Sequence, residues 1–204
     1  MEEWLEVYNE KHEKTGRAMR DEVHKKGLWH EVIHCWMICS MGGETWLYLQ
    51  QRAFDKKDFP GWYDISSGGH VAEGESHEET VLREIYEELG IAAEKEKLEY
   101  LGMITETAKW DSYFNQEFAH VYLYQMDLPF FASGEEVERV IAVLPSEFLK
   151  GEQSDDPEWK ITGMDLQGEP FTFCKKEFCS HPGEFETLVL PQIRKRIQTG
   201  ENTR

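Results

Sequence analysis

An α/β fold with a mixed sheet lying between helices is what this sequence predicts, on three observations. Strand-like and helix-like runs mix along the 204 residues without the regular βαβ alternation of a doubly wound protein. One helix, beginning near His77 and stopping at Gly90, carries both of its end signals. Strands at 30–39 and 45–52 flank the turn Met41-Gly42-Gly43 and form a hairpin.

Taken in order, residues 2–8 read as a strand and the NEKHEKTG that follows as a turn. Residues 17–25 make a second N-terminal segment ending near Gly27. Within 30–39, the period of two puts His30, Val32, His34, Trp36 and Ile38 on one face and Ile33, Cys35, Met37 and Cys39 on the other. Strands at 98–107 and 117–126 are expected to pair antiparallel around a long connection. A further strand is expected at 136–143, a short helix at 145–150 and a C-terminal helix at 184–198.

Composition bounds the partners. With 40% hydrophobic residues, a chain of this length can bury a substantial core as one domain with modest extensions. A net charge of −18 leaves no basic surplus to replace counterions, which argues against a nucleic-acid polymer. A small phosphorylated ligand stays open, because bound metal and a few local cations can invert the field at one site. No apolar run approaches membrane-spanning length, and the acidic start MEEWLEVYNE lacks the basic and apolar regions of a signal peptide. No membrane partner and a cytoplasmic location are therefore expected. Cys35, Cys39, Cys174 and Cys179 lack the density of a disulfide framework. As zinc ligands, Cys174, Cys179 and His181 have an unusual spacing and no evident fourth partner, so ordinary reduced thiols are expected.

The stretch richest in chemistry is GHVAEGESHEETVLREIYEELGI, residues 69–91. Ser76 followed by Glu79 is a capping box, and Gly90 is the stop. At about 100° per residue, Glu84, Glu87 and Glu88 share one side of the helix. Leu82, Ile85 and Leu89 form an apolar arc beside them, with Val81 at its edge. Like charges three and four apart disfavour an isolated helix, and a bound cation reverses that sign. Magnesium, a hard ion, takes oxygen ligands from one or two carboxylates together with water and substrate phosphate. Arg83 is placed to steady the same acids or to touch phosphate.

Gly69, Glu75, Arg83, Glu84, Ile85, Glu87, Glu88, Gly90 and Ile91 stand at the spacings of the Nudix box, and the segment resembles that signature throughout. The resemblance implies an α/β/α sandwich with a mixed sheet. It assigns residues 29–150 to the Nudix domain, with an N-terminal segment 1–28 packed on its core and a C-terminal extension 151–204 carrying a helix. It also implies hydrolysis of a diphosphate linkage in a small molecule, with Mg²⁺ or Mn²⁺ as cofactor. Glu84, Glu87 and Glu88 would be metal ligands, completed by the carbonyl of Gly68 or Gly69. Glu84 and Glu117 are the candidate proton acceptors, Arg83 an accompanying catalytic residue, and Glu75 a brace at the loop–helix junction. The partner expected is a small-molecule diphosphate, and a homodimer is left open.

Residues 51–70, QRAFDKKDFPGWYDISSGGH, are further similar to the type 1 isopentenyl diphosphate isomerases, which share the Nudix fold, over about residues 5–150. That resemblance implies a second metal site from His24, His30, His70 and Glu117, with Asn115 standing where the isomerases have another acid. Arg52 and Lys56 match positions that contact diphosphate. The isomerases need a cysteine ahead of the box, and Gly68 occupies that place here. A hydrolase is therefore expected, with an isomerase-like enzyme and a non-catalytic nucleotide-binding module as alternatives. Trp62, Tyr63, Trp110, Tyr113 and Phe114 are candidates to line a base or isoprenoid pocket, or to pack ordinarily.

Overall fold

A computed structural model of the chain describes residues 3–110 and 113–199; the side chains of Trp110 and Tyr113 lie outside that description. The organising element is β3 (Trp29–Met41), which is buried on both faces over most of its length. Its even positions Trp36 and Ile38 enter one hydrophobic cluster, and its odd positions Ile33, Cys35, Met37 and Cys39 enter another. The strand alternation read from the sequence therefore separates the two layers of the core.

On one side, β3 pairs in parallel with β8 (Tyr113–Met126) from Trp29↔Gln116 to Cys39↔Met126. On the other side it has three antiparallel partners in succession. These are β4 (Glu44–Arg52) at Met37–Met41, β6 (Ser67–His70) at Val32–Cys35, and β1 (Trp4–Tyr8) at Trp29. β1 also pairs with β2 (Lys14–Met19), which leads into α1 (Arg20–Lys26). The short β5 (Tyr63–Asp64) lies on β4. From the far edge of β4 the sheet continues through β9 (Val137–Val143), β10 (Lys160–Asp165) and β11 (Pro170–Cys174).

The helices cover both faces. α2 (His77–Leu89) puts Val81, Ile85 and Leu89 into the odd-face cluster. Each of these is fully buried and contributes about 1.5–3 kcal/mol of apolar burial. The i,i+4 stripe is thus 81–85–89, and Leu82, expected inside the arc, is only partly buried at its margin. Phe148 of α3 (Pro145–Gln153) and Leu190 and Ile193 of α4 (Leu190–Thr199) pack on the even face. The result is the α/β/α arrangement expected.

Three expectations are corrected. The long connection between 107 and 117 does not exist: β7 (Leu98–Trp110) and β8 keep pairing through Thr107↔Gln116, Ala108↔Asn115 and Lys109↔Phe114. The polar ends of both strands project past the core, so no apolar alternation marks them. Within NEKHEKTG, residues from Lys14 onward already belong to β2, and the turn is shorter than expected. The C-terminal helix begins as one π-helical stretch at Phe185–Val189 before α4. Two strands of the extension, β10 and β11, carry too little apolar alternation to be read from sequence. Their register is set by pairing with each other and with β9.

Candidate active site and neighbouring histidine groups

The capping box at α2 is formed as the sequence predicts. Ser76 Oγ accepts the Glu79 N–H at 3.3 Å, and the Glu79 carboxylate accepts the Ser76 N–H at 3.0 Å. Gly90 closes the helix at φ 68, where its N–H donates to the Tyr86 carbonyl. With both ends fixed, α2 holds its carboxylates against the Gly68-Gly69 strand. Glu88 is buried and accepts from Ser67 Oγ at 2.6 Å, from the Gly68 N–H at 3.1 Å and from Gln50 Nε2 at 3.2 Å. Burial, with the Glu84 charge added, pushes the Glu88 carboxyl up to about 8 against the pull of these donors. Glu84 is raised as well, by burial and by Glu87, against Arg83. Its carboxylate lies where a side chain on Gly69 would be: a Cβ there would sit 2.2 Å from Glu84 Oε1. Gly69 is thus required by close approach.

Glu87 is exposed and is drawn in by Arg83 Nη1 at 3.0 Å. Arg83 is the hub of the acidic face. Its Nε and Nη2 grip Glu75 at 2.9 Å each, Nη1 reaches Glu84 at 2.7 Å, and Nη2 reaches the His70 carbonyl at 3.4 Å. The guanidinium is held firmly charged by these carboxylates, and it lowers Glu75 in turn. Glu75 ties Arg83 to the start of α2 and also accepts from Thr80 Oγ1 at 2.9 Å.

His24, His30 and His70 come together, although they belong to α1, β3 and β6. Ligand nitrogens of the three lie within 4.8 Å of one another, and His24 Nε2 is 3.1 Å from His70 Nε2. Glu117, the β8 register partner of His30, puts Oε1 3.7 Å from His30 Nε2. Burial first, then the neighbouring His70, depresses His24 to about 3 and His30 well below its usual value. Both are therefore neutral at pH 7, with lone pairs available for a metal. His70 Nδ1 faces Glu3 at 3.4 Å, an acid no pattern in the sequence marks. By strand alternation Glu117 lies on the even face with His30. Glu84 meets Gly69 on the α2 side, so Glu117 belongs to the histidine group and not to the helix carboxylates.

Residues 28–160, more than half of the chain, match the NUDIX domain family. The chain belongs to the Nudix family. An uncharacterised Nudix hydrolase of Clostridium acetobutylicum is 42% identical over 123 residues, which are 60% of this chain and 59% of that protein. Nudix hydrolase 3 of Arabidopsis thaliana is 32% identical over 176 residues, 82% of this chain and 22% of that protein. The chain thus spans less than two thirds of either relative. A crystal structure from Deinococcus radiodurans shares the fold at a TM-score of 0.57 and 23% identity, covering 72% of this chain and 87% of that one.

At His24 opens a cleft of about 730 Å³, lined also by Arg20, Lys25, Arg52, Lys56 and Lys57 among others. The five cations of its lining are matched by five acids, Asp21, Asp55, Asp58, Glu135 and Glu136. Arg52 is anchored by the Asp58 carbonyl at 3.0 Å and by Asp64 at 3.2 Å, and Lys56 pairs with Glu136 at 2.5 Å. Of the aromatic candidates, Tyr63 is core: it is buried and stacks on Phe173 at 4.3 Å between centroids. Trp62 packs on Phe59, and Phe114 closes over Gly27. The side chains of Trp110 and Tyr113, also expected as pocket candidates, lie outside the described residues.

Sequence reasoning missed a third group in this Nudix domain. His34 Nδ1 lies 2.7 Å from Glu184 Oε2, and Trp36 Nε1 donates to Glu184 Oε1. His181 is held between Glu106 and Asp64, each at 3.1 Å. Burial opposes the charge on both histidines, but the carboxylates outweigh it and raise both. His181 uses its two nitrogens on two carboxylates. It groups with these acids and with His34 and Glu184, not with Cys174 and Cys179, and all four cysteines are free of disulfides. Among the described residues no helix is long and apolar enough to cross a membrane.

Proposed function

We propose that this chain is a Mg²⁺- or Mn²⁺-dependent pyrophosphohydrolase acting on a small nucleoside- or isoprenoid-type diphosphate, releasing a monophosphate and either phosphate or a second phosphorylated product. The observation that carries this is a pair of carboxylates on one helix face, buried Glu88 on the Gly68 N–H and half-buried Glu84 against the side-chain-free backbone of Gly69. Burial lifts both, with Glu84 adding to it at Glu88 and Glu87 adding to it at Glu84, so the site is short of positive charge. The donor set, all oxygen and anionic, fits a hard divalent ion. When bound, such an ion would neutralise phosphate oxygens and lower the pKa of a water.

The chain's own residues do the rest. Arg83 aligns Glu84 and Glu87 and is itself fixed by Glu75. Arg52 and Lys56 line the cleft at His24 and are placed to contact a phosphate there. Glu84 takes the proton from the attacking water, since Glu117 lies with His30 on the other face of the sheet, and the pH–rate profile should change in Glu84→Gln and not in Glu117→Gln. His24, His30, His70 and Glu117 form a second divalent site suited to a transition metal, because neutral imidazoles favour one. Their convergence also supports kinship with the isomerase-related branch.

The test is phosphate release from a panel of diphosphates with Mg²⁺ and Mn²⁺. Glu84→Gln and Glu88→Gln each reduce turnover by orders of magnitude with the fold intact, and EDTA abolishes it. Full activity in EDTA, or near wild-type rates in both variants, would overturn the assignment. No hydrolysis of any diphosphate, with nucleotide binding retained, would point to a binding module. Because Gly68 carries no acid, isopentenyl diphosphate yields no dimethylallyl diphosphate; catalytic formation of that product would restore the isomerase alternative.

A further inference from the structure

Away from the Nudix-box carboxylates, Glu31 collects an unusual set of neighbours. Its Oε1 lies 2.7 Å from His12 Nε2 and 3.0 Å from His120 Nε2, and its Oε2 lies 3.2 Å from His77 Nε2. Three histidines distant in sequence, from the β1–β2 turn, the start of α2 and the middle of β8, present the same ring nitrogen to one carboxylate. We infer that His12, Glu31 and His120 form a separate site for a borderline divalent transition ion of the zinc class, with its open side toward His77.

The geometry favours a ligand set. Ligand atoms of His12, Glu31 and His120 all lie within 4.8 Å of one another. A tetrahedral zinc with bonds of about 2.0–2.1 Å needs neighbouring ligand atoms about 3.3–3.4 Å apart, a few tenths of an ångström beyond the contacts seen. Outer contacts orient the donors as metal ligands require. Tyr8 Oη donates to Glu31 Oε2 at 2.8 Å, and Tyr100 Oη lies 3.2 Å from His120 Nδ1, leaving Nε2 for the ion. His12 sits at φ 62, a left-handed conformation, and its turn is fixed by Asn9 Oδ1 accepting the Lys11 and Glu13 N–H groups at 3.0 Å. That turn aims the imidazole inward, over Phe118 at 4.2 Å between centroids. His120 and Glu31 are 7% and 11% exposed, against 30% and 33% for His12 and His77, so the group opens to solvent on one side only. Two imidazoles and one carboxylate suit zinc, cobalt or iron better than magnesium.

His77 is seven residues before Glu84 on α2, about 10 Å by helix rise, so this group is distinct from the box carboxylates. An ion there would clip the β1–β2 turn to β3 and β8.

The experiment uses the full chain carrying His24→Ala and His70→Ala, so that the group around His30 holds no zinc, with excess Mg²⁺ covering the box carboxylates; the buried His34–His181 group is unchanged in every variant compared. Equilibrium dialysis against Zn²⁺ gives one tightly held equivalent per chain, and Co²⁺ in its place gives the visible absorption of a low-coordinate site with imidazole ligands. Adding His12→Asn, which keeps a left-handed-tolerant residue in an exposed turn, removes that equivalent and the cobalt spectrum. Glu31→Gln does the same. Zinc also raises the melting temperature of the parent but not of the His12→Asn protein. No zinc bound by the parent, or the same stoichiometry and cobalt spectrum after His12→Asn, would overturn the inference.

Discussion

His34 on the central strand and Glu184 in the C-terminal segment lie 2.7 Å apart, both buried, at a sequence separation of 150 residues. His181, three residues before Glu184, sits with its ring centroid 4.4 Å from that of His34 and carries the contact on to Asp64 and Glu106. Through Asp64 the chain of contacts reaches Arg52 in the candidate phosphate cleft. The C-terminal segment is thereby bound to the sheet by charge as well as by apolar packing.

A pH dependence of stability follows. The two histidines have folded values raised above the ordinary 6.5, so their contribution is fully present below that value and is lost as pH rises through the folded values. Glu184 and Asp64 are lowered, so theirs is present above the ordinary 4.5 and 3.8 and is lost as pH falls through the folded values. In urea unfolding the contribution of this cluster should therefore be greatest between about pH 4.5 and 6.5, where both sets are fully present. His34→Gln, which leaves the buried Glu184 charge unpaired, should cost about 3–5 kcal/mol at neutral pH and flatten the alkaline limb. An unchanged alkaline limb in that variant would show that the pair does not control it.

Gly69→Ala should disable the site without unfolding the domain. The added methyl would meet the Glu84 carboxylate at 2.2 Å and push it away from the loop. A displacement of that size is expected to lower diphosphate hydrolysis by about 10²-fold. Circular dichroism and melting temperature check that the fold persists.

Arg83→Lys should fail to replace arginine. Lysine cannot grip Glu75 through two nitrogens while also reaching Glu84 and Glu87. Turnover should fall nearly as far as in Arg83→Ala, and rates of the two variants measured side by side decide it.

Lys56→Gln and Lys57→Gln should raise KM several-fold while leaving kcat near wild type, since both line the cleft and pair with Glu136 and Asp21, not with the acids of α2. A fall in kcat with KM unchanged would place the lysines in the chemical step instead.

Ser76→Ala removes the cap of α2 and should cost about 1 kcal/mol of stability, read from urea denaturation. Replacing exposed Glu78, outside the capping pair, should cost far less.

Residues 69–91 were legible because their determinants are local: a capping pair, a terminating glycine, and carboxylates brought together by helix periodicity alone. The two faces of β3 were legible for the same reason, since strand alternation needs no partner to define it. The resemblance to the isomerases named His24, His30, His70 and Glu117, but only the parallel pairing of β3 with β8 and the antiparallel pairing of β3 with β6 bring their segments together. Glu31 with its three histidines, and His34 with His181 and Glu184, left no trace in any pattern. Each joins side chains from strands and turns far apart in the chain, and which of them meet is decided by strand register and by how the C-terminal segment folds back. A one-residue slip of register would turn every such side chain to the opposite face. The sequence by itself determined the helix and its acids; the tertiary structure decided which histidines and carboxylates share a site, because long-range pairing, not local periodicity, sets those distances.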